Sequence, residues 1–144
     1  MINRYLLAAA LLAASAPLLA QEQAGECESN FTVGGSFSAG KTFKSSVEHT
    51  GLSYDVVFDK VAAAIEADGL QIIDQSKERG YIRANNPVKG GEGGTSVAPL
   101  RVLVLGKPNG NVKVDATFNI AGGQLSPKKA VMKSMCAMLN APRS

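Results

Sequence analysis

Apolar residues fall along this chain in three rhythms. The first is a run: residues 5–19 are almost entirely Leu and Ala, broken only by Ser15 and Pro17. The second is helical. Tyr54, Val57, Phe58, Val61, Ala62 and Ile65 recur at three- and four-residue steps, with Asp55, Asp59 and Glu66 on the opposite side. Ser53 is placed to cap this helix, Asp55 suits its first turn and Gly69 stops it. A second stripe, Val131, Met132, Met135, Met138 and Leu139, predicts a closing helix, with Ser126 as cap and Pro127 as first helical residue. The third rhythm alternates. Val112, Val114, Ala116, Phe118 and Ile120 are separated by Lys113, Asp115, Thr117 and Asn119, which predicts a strand with one face on the core and one in water.

Weaker signals fill the rest. Residues 100–105 form a strand joined to the alternating one through Asn109-Gly110, a strong hairpin signal. Residues 70–74 and 81–85 flank a turn ending at Gly80. Residues 31–48 predict one or two short strands around Gly34, Gly35 and Gly40. Residues 85–98 lack periodicity and read as a Gly-rich loop, and residues 21–29 read as a loose polar tail. An α+β fold satisfies every pattern: an antiparallel sheet of about five strands with two helices packed on one face. The expected division is a leader over 1–20, the tail over 21–29 and a single domain over 30–141.

The apolar run takes its meaning from its flanks. Arg4 supplies a positive start, Ala20 a small residue for cleavage, and Gln21-Glu22-Gln23 a polar sequel, the pattern of a secretory signal peptide. The run is shorter than the ~20 residues a bilayer span needs. Glu26, not a small residue, precedes Cys27, which argues against a lipidated cysteine. The expectation is a bacterial periplasmic or secreted protein, cleaved near Ala20, with no membrane insertion once the leader is gone.

Charge adds little. The formal balance is +3, too mild to imply nucleic acid, and Lys128, Lys129 and Lys133 read as a solvated helix face. The two cysteines add more. An isolated pair in an exported protein is expected to form a disulfide, here Cys27 with Cys136. Closing a loop of roughly 100 residues stabilises a fold by ~4–5 kcal/mol in the chain-entropy model. A reactive thiol is disfavoured, because Cys136 lies late in a predicted helix and Cys27 between Glu26 and Glu28, both settings that oppose a thiolate.

One motif suggests chemistry. Residues 35–42, with Gly35, Gly40, Lys41 and Thr42, satisfy the phosphate-binding pattern G-x-x-x-x-G-K-[ST]. A phosphate cradle also needs a helix starting at the Lys-Thr pair, and residues 43–51 have no helical stripe. The motif is therefore read as a chance match. His49 is the only histidine, so neither a histidine metal cluster nor a Ser-His-Asp arrangement is readable. Asp55, Asp59 and Glu66 lack calcium-loop spacing, and the sequon Asn30-Phe31-Thr32 matters only in a eukaryotic pathway. No enzyme, cofactor or metal is expected.

The cadence Tyr54-Asp55-Val56-Val57-Phe58, Asp68-Gly69-Leu70, Ile72-Ile73-Asp74 and Gly80-Tyr81-Ile82-Arg83-Ala84 resembles the helix-grip modules of bacterial outer-membrane barrel-assembly accessory lipoproteins. The resemblance implies a helix-grip-like fold and a non-catalytic role, docking on another envelope or secreted protein. Two alternatives stand beside it: a toxin-neutralising immunity protein or hydrolase inhibitor, and a carrier of a small apolar ligand with Met135 and Met138 in its wall. The docking surface would be the open sheet face or the loop over 85–98.

Overall fold

A computed structural model describes residues 25–89 and 95–144; the proposed leader and the start of the tail lie outside the described residues. The elements in order are α1 (Glu26–Ser29), β1 (Thr32–Ser36), β2 (Gly40–His49), α2 (Tyr54–Ala67), β3 (Gln71–Ser76), β4 (Tyr81–Lys89), β5 (Thr95–Gly106), β6 (Val112–Ile120) and α3 (Lys128–Asn140), followed by a short 3-10 turn. The six strands form one open antiparallel sheet in the order β1-β2-β6-β5-β4-β3. The α+β class stands, but among the described residues the strand count is six rather than about five, and three α-helices are present rather than two.

The alternating pattern sets which face is covered. Phe43 and Val47 of β2, Val112, Val114 and Ala116 of β6, Leu100, Val102 and Val104 of β5 and Ile82 and Ala84 of β4 all join one buried cluster. Their register agrees: Phe43 lies opposite Phe118, Val47 opposite Val114 and Ile82 opposite Val102. Val57, Phe58, Val61 and Ile65 of α2 and Met135, Met138 and Leu139 of α3 complete that cluster. Full burial of each such side chain contributes roughly 1.5–3 kcal/mol, which makes this face the main source of stability.

The α2 helix begins where its sequence says it should. The Ser53 side chain accepts from the Val56 amide at 3.3 Å, and Gly69 follows with φ +91°, the left-handed value that glycine adopts at little cost. The α3 helix differs from expectation. Pro127 is its N-cap with no side-chain cap bond, and helix starts at Lys128. The Ser126 hydroxyl is instead buried and finds no partner among the described residues.

Two further expectations are corrected. Residues 85–98 are largely strand: Asn86 pairs with Ala98 and Lys89 with Thr95, extending the β4–β5 hairpin. Cross-strand pairing overrides the poor strand propensity of Asn85, Asn86 and Pro87. At the other end, Glu26–Ser29 is a helical turn rather than loose tail, with Cys27 fully buried and α1 lodged against β2 and α3.

Candidate functional site

The predicted disulfide is present. Cys27 and Cys136 are joined, with their Cα atoms 5.6 Å apart and a sequence separation of 109. Around it the chain is closely tied. The Ser45 hydroxyl donates to the Cys27 carbonyl at 2.6 Å. Four residues on, at the C-terminal end of β2, His49 is fully buried and lies 2.9 Å from the Leu139 carbonyl through Nε2. A carbonyl only accepts, so Nε2 carries the proton and Nδ1 is a bare acceptor; Nδ1 has no partner among the described residues. Burial holds the imidazole below its ordinary range, reinforced by the Arg143 charge and opposed by the Leu139 bond and Glu26. His49, which suggests no site in the sequence, is thus a core group. The signal was present, since Phe43, Ser45, Val47 and His49 share one period-two register.

The phosphate-binding pattern falls on the β1–β2 hairpin. Gly35 pairs with Lys41 and Ser36 with Gly40, while Lys41 and Thr42 pair on their other side with Ile120 and Asn119. Backbone groups that would wrap a phosphate belong instead to the sheet. Both glycines have local reasons: Gly40 sits at φ +99°, where a Cβ would come within 2.7 Å of the Ile120 carbonyl oxygen. The Thr42 hydroxyl donates to Asn119 Oδ1 at 2.8 Å, and no helix follows. Among the described residues no group of three or more His, Cys, Asp or Glu is arranged to hold a metal ion, and no helix is long and apolar enough to cross a membrane.

Two other places have the makings of a binding site. The first is the uncovered sheet face. Arg83 of β4 stands directly opposite Arg101 of β5, and Tyr81 directly opposite Leu103. Arg83 lies 3.8 Å from the Asp74 carboxylate; Arg101 has no ion pair among the described residues. The two arginines separate two shallow depressions, one edged by Asp74, Tyr81 and Leu103, the other by Ile73, Pro99 and Asn119. Leu103, Leu105 and Ile73 remain 40%, 44% and 53% exposed. Sequence reading left these residues unassigned, although residues 100–105 do place Arg101, Leu103 and Leu105 together on the outward side.

The second place is a pocket of about 200 Å3 on the covered side, between the sheet and the first turns of α3. Leu70, Leu100, Phe118 and Val131 line it together with Met135 and Met138, the two methionines nominated from sequence for an adaptable wall. Asp68, Asn86 and Ser134 supply its polar groups.

No family model and no curated protein matches this chain.

Proposed function

We propose that this protein is a non-catalytic binding module of the bacterial envelope, exported behind a leader cleaved near Ala20, which docks through its open sheet face on an envelope or secreted protein bearing carboxylates. The carrying observation is the Arg83–Arg101 pair. Like charges directly opposed across a sheet weaken it, and Asp74 answers only one of them. A partner carboxylate set between the two guanidiniums would relieve that repulsion through charge-assisted hydrogen bonds. Leu103 and Ile73 beside the pair, with Leu105 further along β5, offer the apolar contact that such an interface needs around its charges. The disulfide fits an oxidising compartment.

A photo-crosslinking residue at position 103 tests the proposal in the exporting cell. The expected result is one predominant adduct whose partner presents acidic residues. The adduct should be lost in Arg101→Glu and should weaken as salt rises. An adduct unchanged by Arg101→Glu and by salt would overturn the docking mode.

A further inference from the structure

The pocket on the covered side is independent of the sheet face, and it has features that a filled core would lack. Its floor includes Phe118, which shares the inward register of Val114, Ala116 and Ile120 yet is only half-buried while those three are buried. The first turns of α3 stand off the sheet here, leaving Val131 half-buried as well. The space, about 200 Å3, exceeds the ~150 Å3 of an apolar cavity that admits benzene. Met135 and Met138 give it a wall that can re-form around different shapes.

The polar groups define the other half of a ligand. Asp68 is the C-cap of α2, whose last turn carries no basic residue. Its carboxylate therefore adds to the partial negative charge of the helix C-terminus. Ser134 donates its hydroxyl to one Asp68 oxygen, which leaves the other oxygen without a hydrogen bond or ion pair among the described residues. Asn86, half-buried, offers a neutral amide from the opposite wall. Lys128 and Lys129 at the start of α3 are exposed and do not line the pocket. The rim is thus polar and negative in sign, above an apolar floor.

We infer that this pocket binds a small primary amine with an apolar tail or ring, the ammonium at Asp68 and the hydrocarbon against Phe118, Leu100 and the two methionines. A carboxylate of the same shape would meet the Asp68 charge and the α2 terminus, and an alcohol would gain a hydrogen bond to the carboxylate but no ion pair.

Titrating the intact, disulfide-bonded protein with hexylamine, hexanol and hexanoate, followed by NMR of the methyl groups of Val131, Met135 and Met138, tests this. Hexylamine should give saturable shifts with an affinity about tenfold above that of hexanol, a difference of ~1.4 kcal/mol, and hexanoate should bind weakest. Asp68→Asn should remove the amine's advantage and leave hexanol unchanged. Ala130→Phe, at an exposed pocket-lining position, should block all three ligands without altering thermal unfolding. The inference fails if no ligand saturates, if hexanoate binds tightest, if Asp68→Asn leaves the preference intact, or if amine binding survives in Ala130→Phe. None of these outcomes depends on the sheet face, whose own test reads a different surface.

Discussion

The two halves of α3 are built to opposite specifications. The C-terminal half is fastened three ways: Cys136 is bonded to Cys27, the Leu139 carbonyl meets His49, and just beyond the helix Arg143 donates to the Glu48 carbonyl and approaches Glu26 at 3.7 Å. The N-terminal half has no side-chain cap and no acidic residue in its first turn, which holds Lys128 and Lys129 against the dipole. A buried Ser126 hydroxyl, without a partner among the described residues, precedes it and the pocket lies beneath it. One helix thus combines an anchored end that holds the layers together with a lightly held end over an apolar pocket on the covered side. Ligand entry at the light end would leave the anchored end undisturbed.

The largest effect should come from breaking the anchor. Replacing both Cys27 and Cys136 by Ser is expected to lower the unfolding free energy by ~2–5 kcal/mol in urea denaturation while leaving the far-UV circular dichroism of the native state recognisable. A loss confined to a few tenths would mean that the C-terminal half is held by its hydrogen bonds instead.

His49 comes next. Its folded-state value is held below 6.5 by burial, so the unfolded imidazole takes up its proton first as pH falls. Between 6.5 and the lower folded value, the unfolded state binds more protons, and stability declines with falling pH until the folded histidine also titrates. No other histidine contributes, since the chain has one. His49→Leu should lose about 1–3 kcal/mol at neutral pH through the unpaired Leu139 carbonyl and should show no histidine-linked decline in that window. A decline of equal size in the variant would place its source elsewhere.

The smallest effect belongs to the light end. Lys128→Glu should raise thermal stability by the equivalent of about 0.3–1 kcal/mol at low ionic strength, fading in high salt. A destabilisation would show that Lys128 answers a charge that helix polarity alone does not reveal.

What was legible in the sequence follows the reach of each signal. The α2 helix, the alternation of β6, the Asn109-Gly110 turn and the pairing of the two cysteines are local or compositional patterns, and each is found in the structure. The strand segments over residues 85–89 and 95–98 were hidden because their conformation comes from partners across the ladder rather than from Asn85, Asn86 and Pro87 themselves. Strand β1, exposed along its whole length, buries no face and so leaves no periodicity to read. The four-residue α1 is too short for a helical stripe. Candidate site residues divide the same way. Met135 and Met138 sit on one stripe and were nominated from it, whereas Asp68, Asn86 and Phe118 come from separate elements. Arg83 and Arg101 oppose one another only once strand register is known.

The link between Cys27 and Cys136 also sets how the domain meets mechanical load. Tension applied between the segment before Cys27 and the residues after Cys136 would pass directly through the sulfur–sulfur bond. The chain between them, a sequence separation of 109 that holds the six described strands, lies off that path as a slack ring. Pulled in this way, the oxidised protein should extend only by its flanking segments, and its sheet should yield to force only after reduction.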